Sequence, residues 1–260
     1  MITSIIKSKL FRYAFAVIFW IGIWYIAALA IGSELFLPYP HTTLLAFGRL
    51  FTTSLFWKSI GNSFITILSG CIWGLLIGTT LAILSAVSTL CKSVISPMIT
   101  VLRATPVASF IILIYVIVRR IKLDISTVSL WIVVIMVIPI IYVNLYTALT
   151  SFDKKLSEVA KIYRFTFWKK VRILWLPQIN PYLLAALSNA LGFAWKAGVA
   201  AEVICGLSHT IGQNLADSKT TLEMDQLFAW TMTVVLLSIV FEALFRLCVS
   251  RTSKKGGQMS

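Results

Sequence analysis

The length of the apolar runs constrains this chain more than any other feature. From Tyr13 onward, charge-poor stretches of about 18 to 25 residues alternate with shorter polar intervals, and about 20 helical residues cross a bilayer core. Barrel strands would be about half as long and would alternate in polarity. The runs therefore predict membrane-spanning helices, at about 13–31, 60–87, 94–118, 125–149, 178–204 and 226–249. The expected fold class is an all-α integral membrane protein, with 1–260 forming one transmembrane domain. With 59% hydrophobic residues, 12% charged residues and a mean hydropathy of +0.92, the composition excludes a soluble globular domain of this length.

Charge gives the orientation. Lys7, Lys9 and Arg12 precede the first run, and Arg251, Lys254 and Lys255 follow the last. The long interval 151–177 carries Lys154, Lys155, Lys161, Arg164, Lys169, Lys170 and Arg172 against Asp153 and Glu158. Basic flanks face the cytoplasm, so both termini and this interval are expected there, as an even number of spans requires. The net charge of +14 sits mostly beside the spans, where it sets orientation and meets anionic lipid rather than nucleic acid. The turn Arg119-Arg120-Ile-Lys122 opposes this trend, because counting places it outside. Either the count fails or these charges act outside, drawing in an anion or meeting an acidic partner. Ala28-Leu29-Ala30 resembles a signal-peptidase site, but the length of the first run and its anchors Trp20, Trp24 and Tyr25 favour a retained span.

Within the runs, the informative residues are small, breaking or polar. Gly70, Gly74 and Gly78 repeat at the spacing that lets helix backbones approach closely. Pro38 and Pro40 break the chain before a short amphipathic helix expected over Thr42–Phe51. Pro97 and Arg103-Ala-Thr-Pro106 predict a broken third span, whose freed backbone groups must be buried in protein or line a wet cavity. Span four contains Pro139 and Asn144, the latter expected to bond a neighbouring helix. On span five, Asn189 and Lys196 share nearly one helical face. An intramembrane lysine faces a cavity or partner, or snorkels to the interface. Arg103 carries the same alternatives. Glu202 lies off that face and reads as an interfacial residue at the end of the span, and Glu242 and Arg246 read as an intrahelical pair. Cys71, Cys91, Cys205 and Cys248 are scattered, and neither His41 nor His209 has a second ligand-type residue at helical spacing, so no metal is expected.

The chain carries no GxxxxGK[ST], HExxH or GxSxG sequence, so it is read as neither an enzyme nor a nucleotide binder. The basic interval, by contrast, is organised. Ser157 and Glu158 suit a helix start, Thr166 suits a second, and Trp168, Val171, Leu174 and Trp175 recur at helical spacing between cations. By itself this is an interfacial anchor or a docking surface.

Glu158-Val159-Ala160, a break at Arg164-Phe165-Thr166, and Leu174-Trp-Leu176-Pro177 resemble the EAA signature of the membrane subunits of bacterial ABC importers. From about Leu37 to Phe245 the likeness continues, in order and spacing, to permeases for sulfonates, taurine and nitrate: Leu37-Pro38-Tyr39-Pro40, Arg103-Ala-Thr-Pro106, Pro139 with Asn144, and Ala194-Trp195-Lys196 with Ala201-Glu202. The resemblance implies six transmembrane helices of the type I importer permease kind in a bacterial cell membrane, with a cytoplasmic coupling helix from about Glu158 to Trp168. That segment, with Glu158, Val159, Ala160, Arg164, Phe165, Thr166 and Trp168, would enter a groove on a cytoplasmic ATPase subunit. The resemblance further implies a homodimer, two such ATPases that use ATP and Mg, and an extracytoplasmic substrate-binding protein. No cofactor is implied on this chain itself. Two positions depart from the signature: Arg164 stands at the usual glycine and Val159 at the second residue, so the turn lacks glycine's freedom at positive φ. Arg103, Asn144, Asn189 and Lys196 are the pathway candidates. The expected cargo is a small anion, with a heterocyclic or vitamin-precursor solute as the alternative. A different class, an ion-coupled carrier independent of an ATPase, would need a membrane carboxylate, for which only Glu202 is available.

Overall fold

The computed structural model describes residues 9–151, 162, 163 and 165–256. In chain order the helices are α1 (Lys9–Ile31), α2 (Pro40–Phe51), α3 (Ser54–Val87), α4 (Thr89–Ala104), α5 (Val107–Arg120) and α6 (Thr127–Thr150). Then come α7 (Phe167–Lys170), a π-helical turn (Val171–Trp175), α8 (Leu176–Cys205), α9 (Ile211–Thr220) and α10 (Met224–Gly256). Five helical stretches, α1, α3, α6, the run from Trp168 through α8, and α10, are each long and apolar enough to cross a membrane. The pair α4 and α5 passes only together, bent by 106° between Ala104 and Val107.

The glycine repeat settles how that pair is used. A Cβ on Gly70 would lie 2.7 Å from Val133 Cβ, one on Gly74 2.7 Å from Val137 Cβ, and one on Gly78 3.0 Å from Ile141 Cβ. Both series advance four residues at a time in the same direction, so α3 and α6 run parallel. A chain that crosses twice in one direction must return in between, and only α4 with α5 lies in between. The bent pair is therefore the third of six spans, and the start of α1 and the end of α10 share one side of the bundle. We call that side the near face and the opposite side the far face.

α6 is the centre of the bundle. It is apolar all round, as a helix enclosed by others must be, and 61% of its most apolar window is buried, against 6% for α1. α3 packs on α6 through the glycines, and α8 packs antiparallel to both. The α8 contact is also close, because a Cβ on Gly198 would fall 2.6 Å from Ile67 Cγ1 and 3.2 Å from Val133 Cγ2. α10 closes the bundle through Phe56 against Trp230, Phe64 stacked on Phe241 at 4.8 Å, and Trp195 Nε1 donating to Val234 O at 3.1 Å. The peripheral α1 is tied at its far end, where Trp24 donates to Pro38 O at 3.1 Å and stacks on Phe228. Its remaining apolar surface, Phe15, Ile18, Trp20 and Ile26 among it, is exposed as a lipid-facing helix requires.

Side chains start the internal helices. Thr53 Oγ1 accepts from Phe56 N–H at the head of α3, and Ser88 Oγ accepts from Cys91 N–H at the head of α4. Span five is joined to the short helix before it. Rather than beginning after Pro177, the chain is helical from Phe167 onward. Proline has no N–H and crowds the carbonyl four residues back, and the turn before it widens to the π pattern, in which Leu176 N–H donates to Val171 O. The break is absorbed rather than used as a start.

On the far face, α5 ends in a turn where Lys122 adopts φ 57° and Leu123 N–H reaches back to Val118 O at 3.1 Å. Asp124 Oδ1 accepts from Ser126 N–H at 2.9 Å, which holds its carboxyl below the usual range. A depressed folded-state pKa stabilises above the unfolded value and loses that contribution as pH falls through the folded value. Acidification should therefore loosen the α5–α6 turn, and Asp124→Ala should do so at neutral pH. Amide exchange at Ser126 and Thr127 would show both; equal exchange in variant and parent at neutral pH would remove the assignment.

Candidate functional site

The broken span creates the site. α4 stops at Ala104, where Thr105 N–H and Thr105 Oγ1 both return to Val101 O, at 3.0 and 2.8 Å. Pro106 holds an extended conformation, φ −59° and ψ 136°, from which α5 leaves in a new direction. Proline disfavours helical geometry in the residue before it, which is why the turn falls between Arg103 and Val107. The concave side of this elbow encloses a cavity of about 480 Å³, walled by the elbow residues 102–107, by Met136, Pro139 and Ile140 of α6, and by Phe193 of α8. Pro139 lies near the middle of the 24-residue α6, so the cavity sits at about half the depth of the bundle.

Arg103 lines that cavity and is exposed. No Asp or Glu stands among the described lining residues, so the formal charge they carry is positive. Asn189 and Lys196 are exposed along α8 with Phe193 between them, so they flank, about one turn to either side, a residue that walls the cavity. Asn144 does not join this group: its Nδ2 donates to Ile140 O of its own helix at 2.8 Å. The expected bond to a neighbouring helix is replaced by a local one.

In the basic interval, Glu158, Val159, Ala160 and Arg164 lie outside the described residues. Of the other coupling candidates, Thr166 O accepts from Lys170 N–H at 3.0 Å as α7 begins, Lys169 Nζ stands 4.8 Å from the Phe165 ring centroid, and Trp168 is 76% exposed. The side chain of Arg246 also lies outside the described residues. Of the cysteines, Cys71 is buried, while Cys91 and Cys205 are half-buried thiols.

Glu202 corrects the sequence expectation. It is no interfacial residue, being 0% exposed. Gly206, at φ 60°, ends α8 and turns the chain back, so that the N-terminus of α9 arrives against Glu202. There Glu202 Oε2 accepts from Ser63 Oγ at 2.8 Å and from Gly212 N–H at 3.1 Å. Ser63 Oγ also accepts from Ile211 N–H at 3.0 Å. A Cβ on Gly212 would overlap Glu202 and stand 2.6 Å from Val203 N. Periodicity alone missed this joint. Its visible signal is Thr210-Ile-Gly-Gln213 after Gly206, a helix start in which Thr210 Oγ1 accepts from Gln213 N–H and Gln213 Oε1 accepts from His209 N–H at 2.6 Å.

Five spans around a buried sixth, with one of the five broken to open a cavity at half depth, define a multi-pass membrane permease. The chain belongs to the family described as binding-protein-dependent transport system inner membrane component, whose model matches residues 74–254. It is 26% identical over 231 residues to the putative aliphatic sulfonates transport permease protein SsuC of Bacillus subtilis (strain 168), covering 87% of this chain and 81% of that protein. It is 25% identical over 197 residues to the nitrate import permease protein NrtB of Leptolyngbya laminosa, covering 76% and 68%. Among solved structures, a bacterial ABC transporter for import of the acidic polysaccharide alginate superposes with a TM-score of 0.64 at 16% identity, covering 93% of this chain and 95% of that one. The inward-facing MetNI methionine ABC transporter gives a TM-score of 0.59 at 17% identity, covering 77% and 95%. The fold is that of type I ABC importer permeases.

Proposed function

We propose that this chain forms the membrane path of an ATP-driven, binding-protein-dependent importer for a small anion of the sulfonate, taurine or nitrate kind. The observation that carries the reading is Arg103 on a mid-depth cavity with no acidic residue among its described lining. Both named relatives are permeases for anions by their names. Lys196 supports a second copy of the chain: a cation exposed partway along a spanning helix needs water or protein beside it, and a homodimer closing over Asn189, Phe193 and Lys196 would supply both. With the near face and both termini in the cytoplasm, the interval 151–177 meets two ATPase subunits, which hold and hydrolyse ATP with Mg, while a binding protein delivers solute to the far face. The chain itself holds no cofactor and is no enzyme. Glu158, Val159, Ala160, Arg164, Phe165, Thr166 and Trp168 form the contact that turns closure of the ATPases into opening of the path.

The exposed Phe193 at the cavity wall favours a second reading, a planar heterocyclic or vitamin-precursor solute stacked on that ring. Uptake into proteoliposomes containing the chain, its cognate ATPase and its binding protein distinguishes these, using a panel of sulfonates, oxyanions and heterocycles. Uptake should require ATP and favour the anions. Glu158→Lys should reduce it more than about tenfold by reversing the charge of the coupling segment at its ATPase contact. ATPase-independent uptake of the same solute would overturn the importer reading in favour of a self-sufficient carrier.

A further inference from the structure

A second cavity, of about 210 Å³, lies on the far face away from the elbow, and Glu202 forms part of its wall. The two oxygens of that carboxylate are in opposite situations. Oε2 holds two donors, Ser63 Oγ and Gly212 N–H, with the positive end of α9 behind the second. Oε1 is equally buried and has no partner. A carboxylate offers about four acceptor sites, so one oxygen of this group is served and the other is not, because the Thr210 hydroxyl beside the carboxylate spends its proton on Leu207 O at 2.6 Å.

Among the described residues that chamber is lined by oxygens and by no cation. Asn62, Thr66, Ser129 and Thr210 line it with Glu202, and no Lys, Arg or His is among the described lining residues. Asn62 uses its Nδ2 on His209 O at 3.0 Å, leaving its amide oxygen as an acceptor. Ser129 donates its hydroxyl proton to Gly198 O at 3.2 Å, leaving its lone pairs as acceptors. Carboxylate, amide and hydroxyl oxygens suit hard cations. A divalent ion would draw in further carboxylates, and no group of three or more His, Cys, Asp or Glu able to hold a metal occurs among the described residues.

We propose that this chamber binds one small monovalent cation, an alkali ion or ammonium, between Glu202 Oε1 and the oxygens of Asn62, Thr66 and Ser129. Its occupant ties α3, α6 and α8 together at the far end of the bundle, beside the joint with α9. The site is separate from the elbow and does not depend on the identity of the imported solute.

The test is thermal unfolding of the purified full-length protein in detergent, followed by tryptophan fluorescence. NaCl, KCl and NH4Cl are each titrated against choline chloride at constant ionic strength. At least one small cation should raise Tm saturably by about 2–4 °C over choline, and the ion that does so identifies the occupant. Glu202→Gln, which keeps an acceptor for Ser63 and Gly212, should abolish that rise. If this variant does not fold, Thr66→Val and Ser129→Ala should each raise the half-saturating concentration by about threefold or more. Equal responses to choline and to all three small cations would overturn the proposal, as would an unchanged response in Glu202→Gln or, where that variant fails, in both wall variants. The measurement includes no ATPase, binding protein or solute, so its failure leaves the importer reading intact.

Discussion

Gly74→Leu should leave almost no folded protein in the membrane. A β-carbon at Gly74 would already lie 2.7 Å from Val137 Cβ, 2.8 Å from Val137 Cγ1 and 3.2 Å from Val134 O. The first two atoms belong to a short branched side chain and the third to the backbone of the central helix, so nothing nearby is flexible enough to yield. Overpacking a close-packed interior costs about 1–3 kcal/mol even for modest insertions, and a leucine adds three further carbons in the same direction. Gly74→Ala should therefore lower Tm measurably, and Gly74→Leu should eliminate the monodisperse peak in size-exclusion chromatography. Val137→Ala should recover part of the loss in Gly74→Ala, because residues in contact do not contribute additively. Gly22→Ala and Gly192→Ala, where nothing beyond the helix's own adjoining backbone lies within 4 Å of the added carbon, are the controls and should be neutral. A normally folded Gly74→Leu variant would mean that α3 does not rest on α6 as described, and would remove the case for parallel helices and a six-span count.

Arg103→Glu should abolish anion uptake while leaving the fold intact. The side chain is exposed on the elbow cavity, so the substitution opens no void in the core. It replaces the only formal charge among the described lining residues with its opposite. A cleft lined by one sign of charge raises the local concentration of oppositely charged solute by about 10 to 1,000-fold, and reversal turns that gain into a loss of similar size. Uptake of a sulfonate or nitrate should fall by at least about tenfold in the reconstituted complex, with Tm and assembly unchanged. Arg103→Lys should retain most of the activity if charge alone matters, and much less if the solute is held by the planar guanidinium fork. Unaltered uptake in Arg103→Glu would move the selective point elsewhere, leaving Lys196 and the far-face turn Arg119–Lys122 as the remaining cationic candidates.

Much of the architecture was legible in the chain because the bilayer imposes a length. Run length and charge asymmetry lead to helices, their number and a common side for the termini without any knowledge of packing. Pro106 was equally legible, since proline acts locally on its own backbone and that of its predecessor. The small-residue repeat showed that α3 must be packed closely, but not against which helix. At Pro177 the helix expected to start near Thr166 and the span expected after the proline prove to be joined, through one π turn, which neither local signal shows. Glu202 was misread for a related reason. Its position near the end of an apolar run suggests water, whereas its environment is set by Ser63, far away in sequence, and by Gly212, brought back by the turn at Gly206.

The one-dimensional pattern thus determined what must cross the membrane and where the chain must break, because solvation by lipid and the covalent limits of proline act residue by residue. Only the tertiary structure decided that α3 rests on α6 through its glycines, that the third span bends by 106°, and that the elbow shares a cavity with Pro139 and Phe193. It also decided that Glu202 is a buried joint with one bare oxygen. These are relations between distant residues. They depend on which surfaces fit together at atomic contact, and neither hydropathy nor spacing carries that information.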